Sequence, residues 1–129
     1  MNISTAAISL TVDDVGASSQ FLVSHFGFRE QMAADGFASL TRDDTPMSIV
    51  LLRRGIEVLP EHLRDRRADG VIVAFVVDDL EGEQARLRAE GVEFTLPLRE
   101  EPWGERLFLV TDPNGLVYEL VQWPEPAQG

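Results

Sequence analysis

The feature that most restricts this chain is an internal repeat: a strand, an acidic cap, an amphipathic helix and a glycine occur twice in the same order. In the first copy, Ala7-Ile8-Ser9-Leu10-Thr11-Val12 alternates small or polar residues with large apolar ones, the period of a strand with one buried face. Asp13 or Asp14 can then cap a helix on which Val15, Ser18 or Ser19, Leu22, Val23 and Phe26 recur at helical spacing until Gly27 stops it. The second copy has Ile72-Val73-Ala74-Phe75-Val76-Val77 as strand, Asp78 or Asp79 as cap, Leu80, Glu83 or Gln84 and Leu87 on the helical face, and an end near Gly91. The offset is 65 residues between strands and 64 between glycines. A repeat that keeps element order over half the chain implies two related modules.

Short strand-like runs follow each helix, at residues 29–34, 37–41 and 47–53 in the first half and at 92–96, 107–111 and 116–123 in the second. Each module is therefore predicted to be βαβββ, which makes the fold class α+β. Module one covers residues 1–53 and module two 71–123. Residues 54–70, with Pro60 and the cluster Glu61, Arg64, Asp65, Arg66, Arg67 and Asp69, read as a solvated linker, and 124–129 as a fraying tail. One turn fixes a register. In Asp112-Pro113-Asn114-Gly115 the proline and glycine suit a type I turn closed by a left-handed glycine. That turn pairs Asp112 with Leu116, so Thr111 faces Val117, Leu109 faces Glu119 and Leu107 faces Val121 on one face, while Phe108, Val110, Tyr118 and Leu120 share the other.

A chain of 129 residues, 44% apolar and 26% charged, can bury a core as a single domain without disulfides. The formal net charge of −11 repels a phosphate backbone or an anionic bilayer, so neither nucleic acid nor membrane is an expected partner. The absence of Cys rules out thiol chemistry and cysteine-based metal sites. The amino terminus shows no basic segment followed by an apolar stretch, and no apolar run approaches a membrane span. A cytoplasmic location is the expectation.

Taken in order, Leu10-Thr11-Val12-Asp13-Asp14-Val15, Phe26-Gly27-Phe28, Phe75-Val76-Val77-Asp78-Asp79-Leu80, Ala89-Glu90-Gly91-Val92, Glu101-Pro102-Trp103-Gly104 and Asp112-Pro113-Asn114-Gly115 running into Tyr118-Glu119-Leu120 resemble the vicinal oxygen chelate superfamily. That superfamily includes glyoxalase I, bleomycin-resistance proteins and extradiol dioxygenases, and the resemblance covers nearly the whole chain. It implies two tandem βαβββ modules forming a curled mixed sheet around an open cavity, commonly within a homodimer. It also implies where a metal would be held. The family's metal enzymes place His near the start of the first strand of each module and Glu on the last strand, which correspond here to Ala7, Ile72 and Glu119. A fourth position, related to Glu119 by the repeat, falls at or near Leu51. Only the carboxylate remains, and aliphatic side chains donate nothing to a divalent ion. No metal and no cofactor are expected. His25, on the first helix, and His62, in the linker, lie away from the cavity strands.

The leading expectation from this resemblance is metal-independent binding of a small aromatic or peptide natural product, as in proteins that sequester an antibiotic. The alternative is an enzyme that uses Glu119 as a base or with a metal held by other ligands. By strand alternation, Ala7, Ser9 and Thr11, Ile72, Ala74 and Val76, and Leu107, Leu109, Val117, Glu119 and Val121 point to the ligand side. Trp103, between Pro102 and Gly104 in a loop, offers a flat face for stacking, and Phe37 after Asp35-Gly36 is a similar candidate. The ligand-binding set is thus Phe37, Trp103, Leu107, Leu109, Glu119, Ser9, Ala7, Ile72, Ala74 and Val121, with no catalytic residue assigned. Trp123 is expected at an edge or interface, and Arg53, Arg86 and Arg99 as surface charges.

Overall fold

Both copies of the repeat fold as βαβββ in a computed structural model that describes residues 1–124. The expected fraying of the tail therefore falls, beyond Pro124, outside the described residues. The chain divides into two compact units between Asp69 and Gly70. The first contains β1 (Ala6–Val12), α1 (Val15–Phe26), β2 (Arg29–Ala34), β3 (Phe37–Thr41), β4 (Met47–Arg53) and a single helical turn, α2 (Glu61–Arg64). The second contains β5 (Ile72–Val76), α3 (Leu80–Ala89), β6 (Glu93–Glu100), β7 (Arg106–Thr111) and β8 (Val117–Gln122). The strand orders are β1-β4-β3-β2 and β5-β8-β7-β6. In each sheet the first strand runs parallel to the last, and the other pairs are antiparallel.

Alternation along the strands decides which face each helix covers. In the first unit α1 packs on β2, β3 and β4, bringing Phe21, Leu22 and Phe26 into a core with Ala38, Leu40, Ile49 and Leu51. In the second, α3 packs on β6, β7 and β8, and Leu80 and Leu87 join Phe108, Val110, Tyr118 and Leu120. Each such leucine contributes roughly 1.5–3 kcal/mol by leaving water. Of the two acids before each helix, the second is the cap: Asp14 accepts from the Ala17 N–H at 3.2 Å and Asp79 from the Gly82 N–H at 3.1 Å. Asp13 instead pairs with Arg54 at 2.9 Å and Arg67 at 3.4 Å.

The structure differs from the sequence expectation at four places. Val23, assigned to the apolar stripe of α1, is exposed, and Phe21 is buried in its stead; Phe21 meets the Phe26 ring edge-on at 5.4 Å. β6 runs to Glu100 rather than stopping at Leu96. It is an edge strand whose pairing slips on either side of Leu96, and an edge with slips tolerates Pro97, which has no N–H to give a ladder. The linker is exposed along most of its length yet is tied to the first unit: the Gly55 N–H donates to the Arg64 carbonyl at 2.6 Å and the Ala68 N–H to that of Thr11 at 2.7 Å. Arg64 in turn donates to the Leu59 carbonyl at 2.9 Å.

The fourth difference concerns Leu51. It lies on the α1 side of its sheet and is 0% exposed. Ser9 pairs with Val50, and Ala74, 65 residues after Ser9, pairs with Glu119. Val50 is therefore the counterpart of Glu119. The residue type at that position is still apolar, but the side chain belongs to the opposite face from Leu51. Among the described residues, no helix is long and apolar enough to cross a membrane.

Candidate functional site

The face of the second sheet turned away from α3 is built by one hairpin. Asp112 and Leu116 close the turn through the Asp112 N–H to the Leu116 carbonyl at 2.9 Å, and the Gly115 N–H returns to Asp112 at 3.0 Å. Gly115 has φ of 87°, a left-handed conformation that strains any residue with a Cβ. The resulting register sets Leu109 opposite Glu119, Leu107 opposite Val121 and Thr111 opposite Val117, as the turn sequence requires. The Asp112 carboxyl fixes the turn from inside: it accepts from the Asn114 N–H at 2.9 Å, the Leu116 N–H at 3.0 Å and the Tyr118 hydroxyl at 3.2 Å.

On this face Ile72, Ala74 and Val76 of β5 lie beside Val117, Glu119 and Val121 of β8. Ile72 is 55% and Val76 68% exposed. Leu107 and Val121 are buried and leave a ligand little surface, whereas Leu109 and Glu119 are half-buried. Glu119 is set between aliphatic Ala74 and Leu109, and the other charged residues of this face, Glu93 and Arg99, stand on the edge strand β6 opposite Thr111 and Leu107. Partial burial, and after it the charge of Glu105, raise its carboxyl above the ordinary value. Among the described residues of the second unit, its carboxylate has no hydrogen-bond or ion-pair partner. Arg106, on β7, turns to the helix side and pairs with Glu81 on α3.

Trp103 is 65% exposed at the tip of the β6–β7 hairpin. Its loop is closed by the Glu101 N–H donating to the Glu105 carbonyl at 2.8 Å. Gly104 has φ of 95°, a left-handed conformation that strains any residue with a Cβ, and a Cβ there would also lie 3.1 Å from the Pro124 ring. Pro124 thus props the loop next to Trp103, and Trp123 is also exposed. Arg53, Arg86 and Arg99 pair with Asp35, Glu83 and Glu101 at 2.9, 2.6 and 2.8 Å, which accounts for them as surface charges.

In the first unit the corresponding face carries Ala7, Ser9 and Thr11 of β1 beside Ser48, Val50 and Leu52 of β4, with Phe37 opposite Leu52 and Ser39 opposite Val50. Phe37 is half-buried and Ala7 and Ser9 are exposed. The sequence reading missed Ser39 and Ser48, which make this face richer in hydroxyls than its repeat mate. His25 sits on α1 against the Phe21 ring at 5.0 Å, and His62 on α2.

Two βαβββ units with mixed sheets and matching cap-helix segments define a class of α+β protein built by duplication. The model of the Glyoxalase/Bleomycin resistance protein/Dioxygenase superfamily matches residues 4–120, and the chain belongs to that superfamily. Among solved structures, it is similar to a glyoxalase/bleomycin resistance protein/dioxygenase from Nocardioides, with 24% identity, a TM-score of 0.77, and coverage of 100% of this chain and 91% of that one. TioX from Micromonospora sp. ML1 is 27% identical, with a TM-score of 0.72 over 95% of this chain and 100% of that one. Lactoylglutathione lyase from Agrobacterium tumefaciens shares the fold at 17% identity, with a TM-score of 0.74 and 94% of each chain covered. A search of curated proteins found no match.

Metal-dependent members of such a superfamily need a set of nitrogen and oxygen donors. Within the second unit, the donor side chain beside Ile72 and Ala74 is the single carboxylate of Glu119, and within the first unit Ala7 and Val50 supply none. Among the described residues, no three His, Asp or Glu side chains gather closely enough to hold an ion. One carboxylate does not make a site for a divalent ion that takes three or more protein ligands.

Proposed function

We propose that this protein binds a small aromatic or peptide natural product without a metal ion, in the manner of a sequestering or self-resistance protein. The observation that carries this reading is Glu119: a carboxylate set among Ile72, Ala74, Val76, Leu109 and Val117, with the other charges of that face, Glu93 and Arg99, out on the edge strand β6. Such a face grips by apolar contact and orients its guest with one polar group. Exposed Trp103 adds a stacking surface. The superfamily description includes bleomycin resistance proteins, which is compatible with binding without turnover. A homodimer remains the assembly of this reading, on the family resemblance alone.

The test is a titration of dialysed protein with planar aromatic and peptide antibiotics, followed by tryptophan fluorescence and melting temperature. A guest at 100 times its Kd is expected to stabilise the folded state by about 2.7 kcal/mol. Trp103→Ala is expected to weaken that guest roughly three- to tenfold, the worth of one aromatic contact. Near-stoichiometric zinc, nickel, manganese or iron that survives dialysis and is lost in Glu119→Gln would overturn the proposal. A second reading, general-base catalysis, draws support from the raised carboxyl of Glu119. It requires that Glu119→Gln abolish turnover of whatever substrate is found, and full turnover in that variant ends it.

A further inference from the structure

The second unit offers Glu119 no counter-ion of its own. The cations of residues 70–124 are Arg86, Arg88, Arg99 and Arg106, and each is engaged elsewhere. Arg86 is held by Glu83 at 2.6 Å and Glu90 at 3.1 Å, Arg99 by Glu101 at 2.8 Å, and Arg106 by Glu81. Arg88 lies over the Phe94 ring at 4.1 Å. The whole chain contains no lysine, so no long flexible ammonium exists to swing across the sheet. The charged neighbour felt at Glu119 is another acid, Glu105. A half-buried carboxylate among aliphatic side chains, with a second acid near it and every cation of its own unit engaged elsewhere among the described residues, is an incomplete pair.

Resting on the binding reading above, we infer that the guest of this face is an organic cation: a protonated amine on an apolar or aromatic body, its ammonium seated on Glu119 and its body along Ile72, Val76 and Leu109. The complementarity is one of charge and of surface together. The aliphatic residues exclude water from the flank of the carboxylate, which strengthens its attraction for an ammonium relative to the same pair in bulk solvent. They offer nothing to an anion, and Glu105 adds repulsion. A guest bearing a carboxylate or phosphate is selected against by the same arrangement.

Three probes with one ring system separate this inference from general apolar binding: 2-(1-naphthyl)ethylamine, its neutral N-acetyl derivative, and the anionic 3-(1-naphthyl)propanoate. Their Kd values are read by amide chemical-shift titration of the intact chain at neutral pH. The amine is expected to bind about tenfold more tightly than its N-acetyl derivative, with the propanoate weakest. Raising salt from about 20 to about 300 mM is expected to narrow the gap. In Glu119→Gln, whose fold is checked by the dispersion of the same spectrum, the amine and the amide are expected to converge to within about twofold.

Equal binding of amine and amide to the unaltered protein overturns the cation inference and leaves the apolar-face reading standing. A tenfold preference retained in Glu119→Gln overturns it as well, by moving the ammonium to another acid. Absence of shifts on β5, β7 and β8 with all three probes overturns both readings. The comparison within the unaltered protein decides the matter even where the variant folds poorly.

Discussion

Leu51→Glu is expected to leave the protein largely unfolded, while Val50→Glu, one residue away, is expected to cost about 1 kcal/mol or less. The two side chains lie on opposite faces of β4. Leu51 is 0% exposed beneath α1, where a glutamate would lose the leucine's burial, roughly 1.5–3 kcal/mol, and add several kcal/mol for a carboxylate with neither water nor partner. A total stability of about 5–15 kcal/mol does not readily absorb that sum. Val50 is half-buried between Ser9 and Ser39 on the uncovered face, and a glutamate there repeats the Glu119 arrangement of the second unit. Urea denaturation followed by circular dichroism compares the two variants. Equal midpoints would show that the face assignment of β4, and with it the match of Val50 to Glu119, is wrong.

That pair also marks the limit of what the amino-acid sequence could reveal. In the second half, Asp112-Pro113-Asn114-Gly115 is short enough for its turn chemistry to set the register, and the pairing of Leu109 with Glu119 was legible from residues alone. In the first half, β3 and β4 are joined through Arg42-Asp43-Asp44-Thr45-Pro46, a connection long enough to allow several registers. Its shape is set by long-range contacts: Arg42 donates to the Phe26 carbonyl at the end of α1, and Asp43 pairs with Arg29 on β2. The counterpart of Glu119 was therefore legible only to within one residue, and one residue reverses a side chain in a strand. Ser48 was missed for the same reason, whereas Ser39, two residues after Phe37 on β3, was within reach of strand alternation.

The helices show a related contrast. Asp14 and Asp79 were legible as one member of each Asp-Asp pair because both caps precede an apolar helical residue, but choosing the member required backbone geometry. The exposure of Val23 depended on which strands α1 covers, information that no periodicity within twelve residues contains. For the site, strand alternation sorted Ala7, Ser9, Ile72, Ala74 and Glu119 onto faces correctly. It was silent on depth along the strand, and so could not show that Leu107 and Val121 are buried while Leu109 is half-covered.

Asp112→Ala is expected to destabilise the protein by about 3–5 kcal/mol, far more than an ordinary turn substitution. Its carboxyl serves at least three donors, among them two backbone N–H groups in the turn and the Tyr118 hydroxyl. Removing the acceptor leaves buried donors that cost roughly 1–3 kcal/mol each. Tyr118→Phe removes only one donor and keeps the ring that stacks at 6.4 Å on Phe75, so about 1 kcal/mol is expected. The double variant should be less damaged than the sum, because the stranded hydroxyl is gone. Alkaline pH probes the same contact. Burial, and after it the Asp112 carboxylate, push the Tyr118 phenol above its ordinary value. The folded state therefore holds that proton more tightly than the unfolded state, and the associated stability is complete below about pH 10 and declines as pH rises beyond it. Urea midpoints measured between neutral pH and about pH 11 should fall for the unaltered protein and fall less for Tyr118→Phe. A wild-type midpoint for Asp112→Ala would mean that backbone geometry alone holds the turn, and the register that places Glu119 opposite Leu109 would then need another cause.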